Sequence, residues 1–276
     1  MKSRFGNKFI GVFDSGFGGL NILRGIIKEL PEYNYIYLGD TARAPYGSRS
    51  EEIIYEFTKQ AVDFLFEKNC EIIIIACNTA SCDALKKLQR EYLPKKYPPK
   101  KILGVLIPAS EEAVKKTKNQ KIGIIATEST VSSGAFSREL LKLKPKVEIF
   151  QKACPLLVSL VESGEYNSKA SKWIIENYLE YFKNKKIDTL ILGCTHYGIL
   201  ENIIRKAIGK NVKIISEARI VPKKIKNYLE RHKEIELKLG KNKIRKFYST
   251  DLTDKFKILG GKFFGKPIKV ERAKLG

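Results

Sequence analysis

The chain has 276 residues, 43% of them hydrophobic, which is enough for one large or two ordinary α/β domains with packed cores and too apolar for a disordered polymer. Its net charge of +22 comes from 52 Lys and Arg against 30 Asp and Glu, and residues 223–276 alone carry 17 basic against 6 acidic side chains. The longest apolar run, Ile72 to Cys77, is far shorter than the roughly 20 residues of a membrane helix, so no membrane partner is expected.

The N-terminal stretch MKSRFGNKF has no apolar leader region, and a cytoplasmic protein is expected. Five cysteines (Cys70, Cys77, Cys82, Cys154, Cys194) without CxxC spacing argue against a disulfide framework and structural zinc. Cys70, Cys82 and Cys154 read as small hydrophobes. The basic charge reads as a Lys-rich surface that attracts acidic metabolites. Charge alone would also permit non-specific nucleic-acid binding, although no helix-turn-helix, zinc-finger or RNP signature accompanies it.

Near-continuous aliphatic runs mark strands buried on both faces. In chain order they are FIGVFD (9–14), YIYLGD (35–40), IIIIAC (72–77), ILGVLI (102–107), KIGIIAT (121–127), VEIFQ (147–151), TLILGC (189–194) and VKIIS (212–216). Amphipathic helices alternate with them. Over 51–68, Ile53, Ile54, Phe57, Ala61, Phe64 and Leu65 share a face, with a capping box from Ser48 to Glu51. Over 168–184, Trp173, Ile174, Tyr178, Tyr181 and Phe182 do the same. The alternation predicts parallel sheets. KFIGVFDSG (8–16) also resembles QKIGIIATES (120–129), and a Cys-tipped strand follows each, 63 residues after Asp14 and 67 after Thr127. The predicted fold is therefore two pseudo-symmetric, doubly wound α/β domains: 1–105 with a return over 217–276, and 106–216. The active site is expected in the cleft off the carboxyl ends of the strands. The last stretch, from KFYSTD onward, is expected to pack as a C-terminal extension.

Four strand tips carry polar residues. FDSGFGGL places Asp14 and Ser15 before a glycine-rich turn that does not match GxGxxG. GDTARAPYG offers a rigid Pro45-Tyr46-Gly47 turn whose N–H groups suit a carboxylate. ACNTAS follows Cys77 with Asn78 and Thr79, and GCTHY follows Cys194 with Thr195 and His196. Each Cys is expected to precede a helix whose N-terminus and polar side chains suit a carboxylate. Two thiols so placed could face one substrate from opposite sides, as inversion of a stereocentre requires. Plain structural readings stand beside these: a buried strand-end thiol, a capping or core His196, an Asx turn at Asp14, a surface turn at Pro45-Tyr46-Gly47. His232 reads as an exposed side chain. A Cys194–His196 hydrolase is an alternative of another class, but adjacency makes that geometry poor and leaves Cys77 without a role.

Taken together, FDSGFGGL, GDTARAPYG, ACNTAS and GCTHY, in this order and spacing, resemble the glutamate racemases of the aspartate/glutamate racemase superfamily over nearly the whole chain. The resemblance implies that Cys77 and Cys194 are the acid/base pair, with Asp14, His196 and Glu162 assisting. It implies substrate contacts at Asp14, Ser15, Tyr46, Gly47, Asn78, Thr79, Thr127, Thr130, Thr195 and His196. It also implies D-glutamate for peptidoglycan, a homodimer, and no cofactor or metal. His196, where aspartate-specific relatives tend to carry Glu, favours glutamate over aspartate. Gly198 replaces the family's usual Pro, and no role is assigned to Ser216-Glu217.

Overall fold

The computed structural model describes residues 6–276; the first five, on which the expectation of no apolar leader partly rests, lie outside the described residues. Ten strands form: β1 (Phe9–Asp14), β2 (Tyr35–Gly39), β3 (Cys70–Ile75), β4 (Lys101–Gly104), β5 (Lys121–Ala126), β6 (Glu148–Ala153), β7 (Thr189–Gly193), β8 (Lys213–Ile215), β9 (Arg245–Ser249) and β10 (Val270–Arg272). They make two sheets, ordered β10-β9-β2-β1-β3-β4 and β6-β5-β7-β8, and every ladder is parallel. The sub-order β2-β1-β3-β4 repeats as β6-β5-β7-β8. That repeat makes β1 the counterpart of β5, and the strand before Cys77 the counterpart of the strand before Cys194.

The physical reason for the central strands is their burial. Every residue of β1 and β3 is buried, and each buried Ile of Ile72–Ile75 contributes about 1.5–3 kcal/mol. Helix Gly19–Glu29 turns Leu20, Ile22, Leu23 and Ile26 inward and packs on helix Glu217–Arg231, which follows β8 and leads the chain back to the first sheet. Helix Leu106–Lys116 packs on helix Ala135–Leu143 and also on Glu217–Arg231. Among the described residues, no helix is long and apolar enough to cross a membrane.

Several local expectations are corrected. The run 102–107 is strand only to Gly104; Leu106 begins a helix because Pro108 falls in its first turn, where a missing N–H is harmless. Ser50, not Ser48, caps helix Glu51–Glu67, accepting from Ile53 N–H at 3.4 Å. The buried face of that helix is Ile54, Thr58, Ala61, Val62, Leu65 and Phe66, which leaves Ile53 exposed. In helix Lys169–Glu180, Ser171 takes an inward position because its hydroxyl bonds to Ser168 and to the carbonyl of Glu165; Trp173 and Tyr181 are exposed. His232 is half-buried, stacked on Tyr228. The C-terminal stretch is no appendage: β9 pairs with β2, and β10 with β9.

Candidate active site

The parallel registers bring the carboxyl ends of β1, β3, β5 and β7 together, and with them the tips that carry polar residues. One narrow cavity of about 20 Å³ is lined by Ser15, Tyr46, Gly47, Cys77, Asn78, Thr79, Thr127, Glu162, Cys194, Thr195 and His196 together with Ala44, Pro45 and Val158. Both thiols are therefore on its wall. Ser15 Oγ lies 3.3 Å from Cys77 Sγ. Burial and the Asp14 charge push the Cys77 thiol up to about 12, against opposing bonds from Ser15 and the Ala80 N–H. Cys77 thus rests as a thiol.

Cys194 heads a chain of three linked groups. Cys194 Sγ is 3.8 Å from His196 Nδ1, and His196 Nε2 is 3.1 Å from Glu162 Oε1 at the end of helix Leu156–Glu162. Burial disfavours the imidazolium, but the bonds to Cys194 and Glu162 outweigh it and hold His196 well above the usual histidine range. Phe17 and Phe263 pack edge-on against the ring and fix its plane.

Asp14 is fully buried behind these walls. It accepts from Gly16 N–H at 3.1 Å and from Thr195 Oγ1 at 3.2 Å, so it joins the two halves. Burial raises its carboxyl, while His196 and the donated hydrogen bonds oppose the rise. The glycines beside it owe their identity to close approach rather than to a phosphate loop. A Cβ on Gly18 would lie 2.4 Å from Thr195 Oγ1 and 3.0 Å from His196 N. A Cβ on Gly47 would lie 2.7 Å from Thr127 Cβ, where Ser129 N–H also donates to Gly47 O at 3.1 Å.

Thr79 and Thr127 face each other across the halves, hydroxyls 3.1 Å apart. Thr130 stands behind them, accepting from Thr127 at 3.0 Å and lying outside the cavity lining. Tyr46 lines the cavity, but its hydroxyl is already committed to Asp40 Oδ2 at 2.5 Å, beside Arg43 Nε at 2.7 Å. Asp40 also accepts from Thr250 at 2.9 Å, which ties the loop to the C-terminal region. The helix expected after Cys77 begins at Asn78 and, past a break at Ala84, runs on to Lys96, whereas the one expected after Cys194 is corrected: Thr195–Gly198 is a 3₁₀ turn ahead of helix Glu201–Ile208. Side-chain amide and hydroxyl groups add polarity at both tips. Among the described residues, no three His, Cys, Asp or Glu side chains are grouped to hold a metal ion.

Sequence reasoning missed Asp40 and left Glu217 without a role. Asp40 closes a predicted strand and gave no signal beyond its charge. Glu217 accepts from Asn78 Nδ2 at 2.9 Å, and that contact, between residues 139 apart, is what gives it a place in the site.

Residues 10–221 match the family described as Asp/Glu/Hydantoin racemase. Glutamate racemase 2 of Caldanaerobacter subterraneus subsp. tengcongensis is 42% identical over 259 residues, 94% of this chain and 94% of its own. A crystal structure of a glutamate racemase isoform from Bacillus anthracis superposes with a TM-score of 0.89 at 33% identity, over 97% of this chain and 98% of that one. The glutamate racemase of Francisella tularensis, solved with D-glutamate, has a TM-score of 0.87 at 33% identity, again over 97% and 98%.

Proposed function

The chain belongs to the Asp/Glu/hydantoin racemase family, and from that premise we propose that it interconverts L- and D-glutamate by passing the α-proton between Cys77 and Cys194. The observation that carries this reading is the pairing of two thiols on one cavity, each at the tip of an equivalent strand and each with its own polar neighbour.

In each direction one cysteine, as thiolate, removes the α-hydrogen, and the other, as thiol, returns a proton to the opposite face. The C–H pair of electrons stays on the α-carbon between the two events and forms the new C–H bond. One sulfur gains a proton and the other loses one, so the reverse reaction starts from the state the forward one leaves. His196, shared between Cys194 and Glu162, gives or takes the proton that resets that side. On the other side, Asp14, buried just behind the cavity lining and held by Thr195, is assigned the substrate ammonium, which it would meet once the site opens. Pairing there cancels part of the negative field that raises Cys77 and brings its thiolate within reach. Asn78, Thr79, Thr127 and Thr195 supply side-chain donors for the two carboxylates, and the N–H groups of the Tyr46-Gly47 turn join them. Donors aimed at charge developing on the substrate contribute about 3 kcal/mol each in the transition state. The D-glutamate formed serves peptidoglycan synthesis.

The test is turnover of L-glutamate in heavy water, followed by chiral separation and mass analysis. D-glutamate carrying one deuteron at the α-carbon is expected. Product that keeps its original hydrogen throughout would refute two-base transfer. Turnover of aspartate with none of glutamate would move the substrate to the shorter acid.

A further inference from the structure

Glu217 is a buried carboxyl that the two-thiol reaction leaves without a task. It opens helix Glu217–Arg231, is 4% exposed, and meets Asn78 where the two sheets adjoin. Asn78 Nδ2 donates to Glu217 Oε2 at 2.9 Å. Among the described residues, the buried Asn78 Oδ1 and Glu217 Oε1 have no hydrogen-bond partner. The bonded pair therefore leaves one buried acceptor bare on each side chain, which is unfavourable for buried polar atoms. One of Asn78's two donor hydrogens is also spent on Glu217, although Asn78 lines the cavity. A substrate carboxylate brings only acceptors, so the amide serves it with its nitrogen and repels it with its oxygen.

We propose that Glu217 is a positioning residue that works as a neutral acid: its O–H donates to Asn78 Oδ1 and so turns the Asn78 NH₂ toward a carboxylate of the substrate. The proposal rests on the reading of Asn78 as a carboxylate contact. A half-turn of the amide exchanges its two ends without moving the backbone, and 2.9 Å suits O–H···O as well as N–H···O. The exchange gives Asn78 Oδ1 its missing partner and frees both amide hydrogens.

The surroundings favour the proton. Complete burial raises the Glu217 carboxyl; the Asn78 bond opposes, the Asp14 charge adds, and the result is about 8. The groups that face it are Asp14 from the tip of β1, Cys82 from the helix of Asn78, and Cys194, Thr195 and Asn21 around a small adjoining cavity. None of them is a cation. Above about pH 8, Glu217 ionises, Asn78 turns its nitrogen back to it, and the substrate loses a donor pair. Affinity therefore falls as pH rises.

The experiment follows kcat and KM for glutamate from about pH 6 to 9.5 in the wild type, Glu217→Gln, Glu217→Ala and Asn78→Ala, with melting curves as a check on folding. In the wild type, KM is expected to rise about tenfold between pH 7 and 9. Glu217→Gln, whose NH₂ donates to Asn78 Oδ1 at every pH, should keep KM within about threefold of wild type at pH 7 and lose the rise. Glu217→Ala should raise KM about tenfold with kcat little changed. A wild-type rise retained in Glu217→Gln, or an unchanged KM in Glu217→Ala, overturns the proposal. An unchanged KM in Asn78→Ala overturns it together with the carboxylate contact on which it rests. The carbon-13 shift of the Glu217 carboxyl, followed against pH without substrate, decides independently of turnover. Titration near 8 supports the neutral acid, and titration near the usual 4.5 overturns it while leaving the racemase reading intact.

Discussion

Cys77 and Cys194 differ in their surroundings although their strands are equivalent. Cys77 has a hydroxyl neighbour and the buried charge of Asp14; Cys194 has an imidazole backed by a carboxylate. A serine hydroxyl would occupy either place at nearly the same size, but it loses its proton far less readily than a thiol. Cys77→Ser and Cys194→Ser are each expected to lower racemisation by about 10³ or more, read by polarimetry, with little change in melting temperature. Near-native turnover in either variant would remove that sulfur from the reaction. At this scale the sequence was informative because cysteine, histidine and the residues beside them are adjacent in the chain. It could give Glu217 no role because a carboxyl at a helix start looks like any favourable first-turn charge. Only its burial against Asn78 separates it from the many exposed acids.

Elements place these residues by packing. The turn after β1 must pass under Thr195 and His196, and Gly18 leaves no room for a side chain there. Gly18→Ala is expected to cost about 1–3 kcal/mol in urea unfolding, through overpacking. Because Thr195 holds Asp14, it should also lower activity more than about tenfold. Strand β3 carries a second device. Glu71 is 1% exposed and is met by Lys8 at 2.6 Å, Lys238 at 2.8 Å and Lys100 at 3.5 Å, which ties the segments just before β1, β4 and β9 to the first sheet. Burial opposes its charge, but the bonds from Lys238 and Lys8 hold the carboxyl below its usual range. Its contribution is thus present above the ordinary value of 4.5 and is lost as pH falls through the depressed value. Glu71→Ala should destabilise by about 2 kcal/mol at neutral pH, and the difference from wild type should shrink in acid. Strands β1 to β8 were legible as apolar runs, with ends misplaced by a few residues. Strands β9 and β10 were not, because KFYS mixes charged and aromatic residues beside turn signals, and β10, at the sheet edge, needs no continuous apolar face.

Across the whole molecule, the two halves meet closely at the site. Hydroxyls of Thr79 and Thr127, the Ser129–Gly47 backbone bond and the Asp83–Ser129 side-chain bond all cross between them. The cavity they close, about 20 Å³, has room for about one water molecule, and an amino acid is expected to enter as the halves separate. Joining Asp83→Cys to Ser129→Cys by oxidation should therefore suppress turnover by at least about tenfold, and reduction should restore it. Undiminished activity in the cross-linked protein would mean that access needs no such motion. The sequence by itself determined the parallel α/β architecture, the duplicated strand pattern and the four polar tips, because hydrophobic periodicity and short motifs are local properties. Tertiary structure alone decided which tips share a wall, that the tail completes the first sheet, and that Asn78 faces a buried acid. Those outcomes depend on contacts between residues far apart in the chain, where burial and pairing, rather than residue type, set each group's chemistry.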